Sequence, residues 1–257
     1  MKFKIGNSEF AVNIATSLAL GTEVSTRITE GRGFALATLT MDHLVKLSFG
    51  PGFRAAYQSQ DLVVAGGREI VWLSRLARQS VDLLKGSDLI VPLVELAERN
   101  GYPVAFVGHR GASLQSGTVA LRAAVPGLRV TCITAPPLGF DPEGPSADAI
   151  LREVADSGAR ICFIALGSPK QECFAARGRN VVPGIGFVSI GAGLDFVSGR
   201  RVHPPLWIRR LALEWLWHLL VQPSGTFICY LHGVRILPRH VLGAIKQRIK
   251  SGSETTK

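Results

Sequence analysis

Six short runs rich in β-branched and apolar residues, at 34–40, 61–65, 103–108, 129–134, 160–166 and 188–191, alternate with segments whose apolar residues recur at helical spacing, at 41–47 with 53–57, 69–76, 89–98, 114–124 and 147–155. That alternation constrains the fold more than any other feature. Strands joined through helices of about ten residues start each time from the same end of the sheet, so they pair in parallel, and the helices cover both sheet faces. The sequence therefore predicts an α/β protein with a Rossmann-like, mostly parallel sheet covered by helices. The pattern stops at Gly199-Arg200-Arg201. Beyond it only helical spacing remains, divided by Pro204, Pro205, Pro223 and Pro238. Three parts are expected: an α/β core over 1–199 that binds the ligand, a basic C-terminal helical appendage over 200–250, and a polar, disordered tail over 251–257.

The fifth run leads into Gly167-Ser168-Pro169-Lys170-Gln171-Glu172. Ser168 suits an N-cap, Pro169 the first helical position, and Ser168-x-x-Gln171 reads as a capping box. A buried strand feeding a helix start through a glycine turn is where α/β proteins bind phosphates, because free backbone N–H groups and the helix dipole converge there. The same residues also suffice simply to start a helix.

A chain of 257 residues is long enough for one sizeable core. No apolar run reaches the roughly 18–20 residues of a membrane-spanning helix. Glu9 and Asn13 interrupt the early apolar stretch, which argues against a signal peptide and for a cytoplasmic protein. Cys132, Cys162, Cys173 and Cys229 show no C-x-x-C spacing, and the six histidines show no H-x-x-x-H, so neither a disulfide nor a metal site is expected. The basic charge is concentrated. From Arg200 to Lys250 nine basic residues accompany one acid, Glu214, and the segment holds Trp207, Trp215 and Trp217. Basic residues interleaved with Trp and Leu suit an interfacial helix on an anionic membrane, which is favoured over nucleic acid because no nucleic-acid motif is present.

Common alternatives fail on spacing. Gly184-Ile185-Gly186 lacks the third glycine of a dinucleotide fingerprint at Ser189, and Gly191-Ala192-Gly193 lacks it at Phe196. The chain has no Walker lysine, no G-x-S-x-G and no Asp-x-Asp pair.

Gly167 to Glu172, then Gly191-Ala192-Gly193-Leu194-Asp195-Phe196 with Gly199, then Leu213-Glu214-Trp215-Leu216, resemble the WecG/TagA/CpsF glycosyltransferases, glycosyltransferase family twenty-six. Upstream, Thr38 with Asp42-His43-Leu44-Val45, Asp61-Leu62-Val63, Gly86-Ser87-Asp88-Leu89 and Pro136 to Asp141 fit the same pattern in order. The resemblance implies a bacterial, metal-independent, inverting transfer that needs no cofactor. A sugar passes from a UDP-sugar to a lipid-diphosphate-linked saccharide on polyprenyl, at the inner face of the cell membrane, in exopolysaccharide or cell-surface glycan synthesis. The appendage would touch the membrane and help to close the site. Carried over residue by residue, Gly167, Ser168, Lys170 and Gln171 would bind the nucleotide sugar, and Thr38 would be the active-site threonine. Asp195, Arg209 and Arg210 join the candidate binding residues, and Asp88 the candidate catalytic ones. Asp195 reads equally as a turn or cap residue, and Glu214 as an ion-pair partner for Arg209 or Arg210.

Two departures stand out. Where the family keeps Ala-Asp-Gly, with its candidate general base, this chain reads Ala65-Gly66-Gly67; Glu69, Asp61 and Asp88 are the nearby carboxylates, with Glu69 the first candidate for a substitute base. Thr40 replaces the family's Asn, and expected arginines fall on His203, His218, Ser224, Gly225 and Cys229. Alongside an active transferase, these departures keep open a non-catalytic or very slow relative that binds nucleotide sugar or assembly partners at the membrane.

Overall fold

The computed structural model describes residues 1–108, 111–200 and 223–254, with side chains of the last helix described over 232–249. An antiparallel hairpin of β1 (Lys2–Ile5) and β2 (Ser8–Ala11) leads into α1 (Ser17–Thr29), capped by the Thr16 hydroxyl. Then follow β3 (Phe34–Leu39), α2 (Met41–Phe49), α3 (Pro51–Gln58), β4 (Leu62–Ala65), α4 (Arg68–Leu76), α5 (Gly86–Arg99), β5 (Val104–Gly108), α6 (Gly111–Ala124), β6 (Val130–Thr134), α7 (Pro145–Asp156), β7 (Ile161–Ala165), α8 (Lys170–Val181), β8 (Gly186–Ser189), α9 (Gly193–Val197) and α10 (Pro223–Glu254).

The second sheet has six strands in the order β4-β3-β8-β7-β5-β6, every pair parallel, as the alternating pattern predicts. Alternate side chains divide it into two cores. Phe34, Leu36, Phe106, Phe163 and Val188 pack against α1, α5 and α6. On the opposite face Ala35, Ala105, Cys162, Ile164 and Phe187 pack against α7 and α8. Gly178 lets α8 approach closely: a Cβ there would lie 2.5 Å from the Phe187 ring. Cys132 and Cys162 are buried and free, as expected of small apolar side chains.

Three features depart from the sequence reading. The hairpin and α1 go unrecognised there, because strands of four residues carry too little periodicity. Pro238 does not end the last helix; α10 runs through it and on through Glu254, four residues into the stretch read as a tail. Nor is this helix detachable. Ile236, Leu237, Val241 and the fully buried Ala244 join a third core with Phe3, Phe10, Leu44, Leu47 and Ile70. A Cβ at Gly233 would come 3.0 Å from Met41, and the Gln247 amide exchanges hydrogen bonds of 3.0 and 2.7 Å with the backbone N–H and C=O of Lys2. Among the described residues no helix is long and apolar enough to cross a membrane.

His240 lies in this contact, its ring edge-on to Phe3 with centroids 5.6 Å apart. Burial, with the charge of Arg239, pushes its pKa down to about 4. The unfolded chain takes up this proton near pH 6.5, before the folded one does. The stabilisation is therefore complete above pH 6.5 and lost as the pH falls towards 4. Thermal melts should show the wild-type Tm falling relative to that of His240→Phe between pH 7 and 4, with a constant gap above pH 7.

Candidate functional site

In a parallel sheet all strand C-termini lie at one edge, and a crevice opens where neighbouring strands send their connections to opposite faces. β8 sends α9 to the face of α5 and α6, through Leu194. Its neighbours β3 and β7 send α2 and α8 to the other face, through Leu44 and Phe174. The loop Gly191-Ala192-Gly193 thus sits in a crevice flanked by the ends of β3 and β7.

The β7–α8 turn is built differently from a capping box. Gly167 takes a left-handed φ of +73°, the Ser168–Pro169 peptide is cis, and Pro169, with helical backbone angles, occupies the N-cap position. The Ser168 hydroxyl is buried without a partner. The box fails because its serine has to stand at the N-cap with extended backbone. Gln171 reaches across the crevice instead, its Oε1 accepting the Gly191 N–H at 3.0 Å. Lys170, expected to bind the nucleotide sugar, donates to the Phe140 carbonyl at 2.7 Å and ties α8 to the loop after β6. Lys46 holds the turn from below, with Nζ 3.1 Å from the Ser168 carbonyl and 2.5 Å from Asp42.

A buried polar chain continues from Gln171. Its Nε2 donates to Glu172 Oε1 at 2.7 Å; the same oxygen lies 3.1 Å from His43 Nε2, and His43 Nδ1 is 2.7 Å from the Thr40 hydroxyl that caps α2. Gln171 is 3% exposed, Glu172 0% and His43 6%. Burial alone would raise the Glu172 carboxyl, yet the hydrogen bond and charge of His43, with the Gln171 amide, hold it below its usual range. Burial first, and then the Glu172 charge, keep the nearby Tyr57 phenol well above its ordinary pKa. His43 and Glu172 stand inside the quoted motifs without a role; an ionisable residue beside Leu44-Val45, and another ahead of Phe174-Ala175, are the signals that mark them as buried.

At the ends of β3 and β4, Thr38 is nearly buried and shares its strand side with Leu36, towards α5. Gly66 adjoins it, donating to the Leu39 carbonyl at 2.8 Å. Gly66 does not have a positive φ; what it supplies is room. A Cβ there would lie 2.7 Å from Thr38 Cβ. Gly67 likewise makes way for Glu69, whose Oε1 would lie 2.1 Å from a Cβ at that position. Glu69, half-buried at the start of α4, folds back to accept the Met41 N–H at 2.8 Å and so caps α2. The start of α5 closes this side: the Leu84 N–H bonds the Ala65 carbonyl, and Gly86 lies against Ile190. Asp88, in the first turn of α5, accepts the Ser87 hydroxyl at 2.9 Å, and Asp195 lies on α9.

The sheet edge thus gathers Thr38, Glu69, Asp88, Asp195 and the Gly167–Gln171 turn. Arg209 and Arg210 lie outside the described residues, as do His203 and His218. Among the described residues no group of three or more His, Cys, Asp or Glu side chains is placed to hold a metal ion.

A parallel α/β sheet with a crevice at its C-terminal edge is a Rossmann-like architecture. More narrowly, the model of the glycosyl transferase WecG/TagA/CpsF family matches residues 8–254, and the chain belongs to that family. The family assignment makes it a glycosyltransferase acting between a sugar donor and an acceptor.

Close contact between residues 38 and 66 leaves no room for a side chain at 66. Gly66→Ala and Gly66→Asp should each lower stability by about 1–3 kcal/mol, as overpacking does. Denaturant melts showing either variant as stable as the wild type would overturn the steric account.

Proposed function

We propose that the chain transfers a hexosyl residue from a UDP-sugar to a polyprenyl-diphosphate-linked saccharide at the inner membrane face, in exopolysaccharide or cell-surface glycan synthesis. The observation that carries this reading is the meeting of Thr38, Glu69, the α5 start and the Gly191 loop at one sheet edge, in a chain of a glycosyltransferase family. Glu69 is the proposed base. One carboxylate oxygen is engaged by the Met41 N–H, leaving the other to take the proton of the acceptor hydroxyl. As the acceptor's hydroxyl oxygen bonds to the anomeric carbon, the bond from this carbon to the UDP oxygen breaks on the opposite face, and configuration inverts. UDP carries away the electron pair. The uncapped start of α5, with backbone N–H groups at the positive end of the helix dipole, suits the leaving diphosphate. Arg209 and Arg210, outside the described residues, are proposed to bind substrate as well.

Glu69→Gln keeps an oxygen for the Met41 N–H, so fold and UDP binding should persist while kcat falls by roughly 10²–10⁴-fold. UDP release from a panel of UDP-sugars, with a short-chain lipid-diphosphate saccharide, measures this. A wild type that binds UDP but consumes no UDP-sugar would fit the binding-only relative, which Gly66 in place of the family's aspartate favours.

Membrane contact is proposed for α10. Val234, Leu242, Ile245 and Ile249 leave an exposed apolar stripe at helical spacing, among Arg235, Arg239, Lys246 and Arg248. Because α10 is part of a core, truncation would unfold more than the contact, and exposed positions give the cleaner test. The double substitution Leu242→Ser with Ile249→Ser should weaken binding to anionic liposomes by about tenfold or more, from the lost apolar area, and added salt should weaken the wild type. Unchanged liposome binding by the double variant would remove α10 from the contact.

A further inference from the structure

We propose that Glu172 and His43 are positioning residues for the donor site: they fix the orientation of the Gln171 amide and, through it, the Gly191 loop. This rests on the donor reading above but can fail separately from it.

The two ends of a glutamine amide are nearly the same size, so partners decide which end points where. Here the partners are unambiguous. Gly191 N–H can only donate, so it takes Oε1; an ionised Glu172 carboxylate can only accept, so it takes Nε2. Reversing the amide would set donor against donor at Gly191 and acceptor against acceptor at Glu172. The amide is left with one N–H and one lone pair for a ligand, in a fixed sense. Glu172 is itself held at a single point. Its Oε1 meets both His43 Nε2 and Gln171 Nε2, whereas Oε2 is buried without a partner. The His43 ring is fixed in turn by the Thr40 hydroxyl and by Phe53 and Tyr57, 6.3 and 5.7 Å away between ring centroids. Orientation therefore runs from the cap of α2, through two buried ionisable groups, to the amide and on to a backbone N–H in the crevice. Gly191 donates that bond from a left-handed conformation, at φ +55°, so the bond fixes where its loop lies in the crevice. Glu172 is fully buried, and the His43 ring is taken up by Glu172, Thr40, Phe53 and Tyr57, so both act through Gln171.

Glu172→Gln tests this at constant shape, because an amide at 172 offers its neighbour either an oxygen or an N–H and no longer enforces one sense. Two readouts are needed on the full chain: hydrogen exchange of the Gly191 amide without ligand, by NMR, and UDP affinity by calorimetry. Glu172→Gln should speed Gly191 exchange and weaken UDP by about threefold to tenfold, the range of one hydrogen bond. Gln171→Ala should do the same or more, and the double variant should be no worse than Gln171→Ala alone, since both act through one amide. Losses that multiply in the double variant, or wild-type Gly191 exchange in Glu172→Gln, would overturn the proposal. Glu172→Asp, which keeps the charge but withdraws it by one methylene, should also free Gly191, and it carries the test if Glu172→Gln does not fold. If Gly191 exchange responds while the wild type binds no UDP, the orientation of Gln171 by Glu172 is upheld and the donor reading falls.

Discussion

Parallel pairing is the constraint on which the rest of this structure depends. Each return between neighbouring strands has to cross a sheet face, so every strand ends at the same edge and the chemistry-bearing residues collect there without being near one another in sequence. Gln171 meets Gly191, Glu69 meets Met41, and His43 meets Glu172, the last pair separated by 129 positions. What brings them together is the packing of apolar side chains on the two sheet faces, against α1, α5 and α6 on one and α7 and α8 on the other.

Glycine at 66 and 67 shows how the same edge trades side chains for space. In most positions of a strand-to-helix turn a glycine would be read as a backbone requirement. These two have ordinary backbone angles and clear room for neighbours, one for Thr38 and the other for the Glu69 carboxylate. The absence of a side chain at 66 and the inward fold of Glu69 belong to one local solution, in which a carboxylate reaches the ends of β3 and β4 from the following helix.

Much of the fold was legible because its signals are local. Runs such as 103–108 and 160–166, bounded by Gly and Pro, mark strands, and 89–98 and 147–155 carry a helical period over several turns; the structure places β5, β7, α5 and α7 there. The hairpin of β1 and β2 was not legible, since its four-residue strands owe their existence to the core formed by Phe3, Phe10 and α10. At this edge Thr38, Glu69 and Gln171 were singled out through the family resemblance, and their partners were not legible. The bond from Gln171 to Gly191 replaces a capping box that the sequence spells out correctly, because Pro169 takes the N-cap position in place of Ser168. Tertiary contacts override local grammar at this edge, where a polar side chain has competing uses.

The hydrogen bonds between Gln247 and Lys2 join positions 245 apart. During synthesis the first strand emerges long before the helix that completes its core. Phe3, Ile5 and Phe10 therefore wait, exposed in part, until α10 leaves the ribosome. The third core is the last to close: α3 and β4 already offer the hairpin the Tyr57 ring and the Val63 carbonyl, and α10 completes its cover. Any stall before residue 247 leaves an apolar surface open to association with other nascent chains.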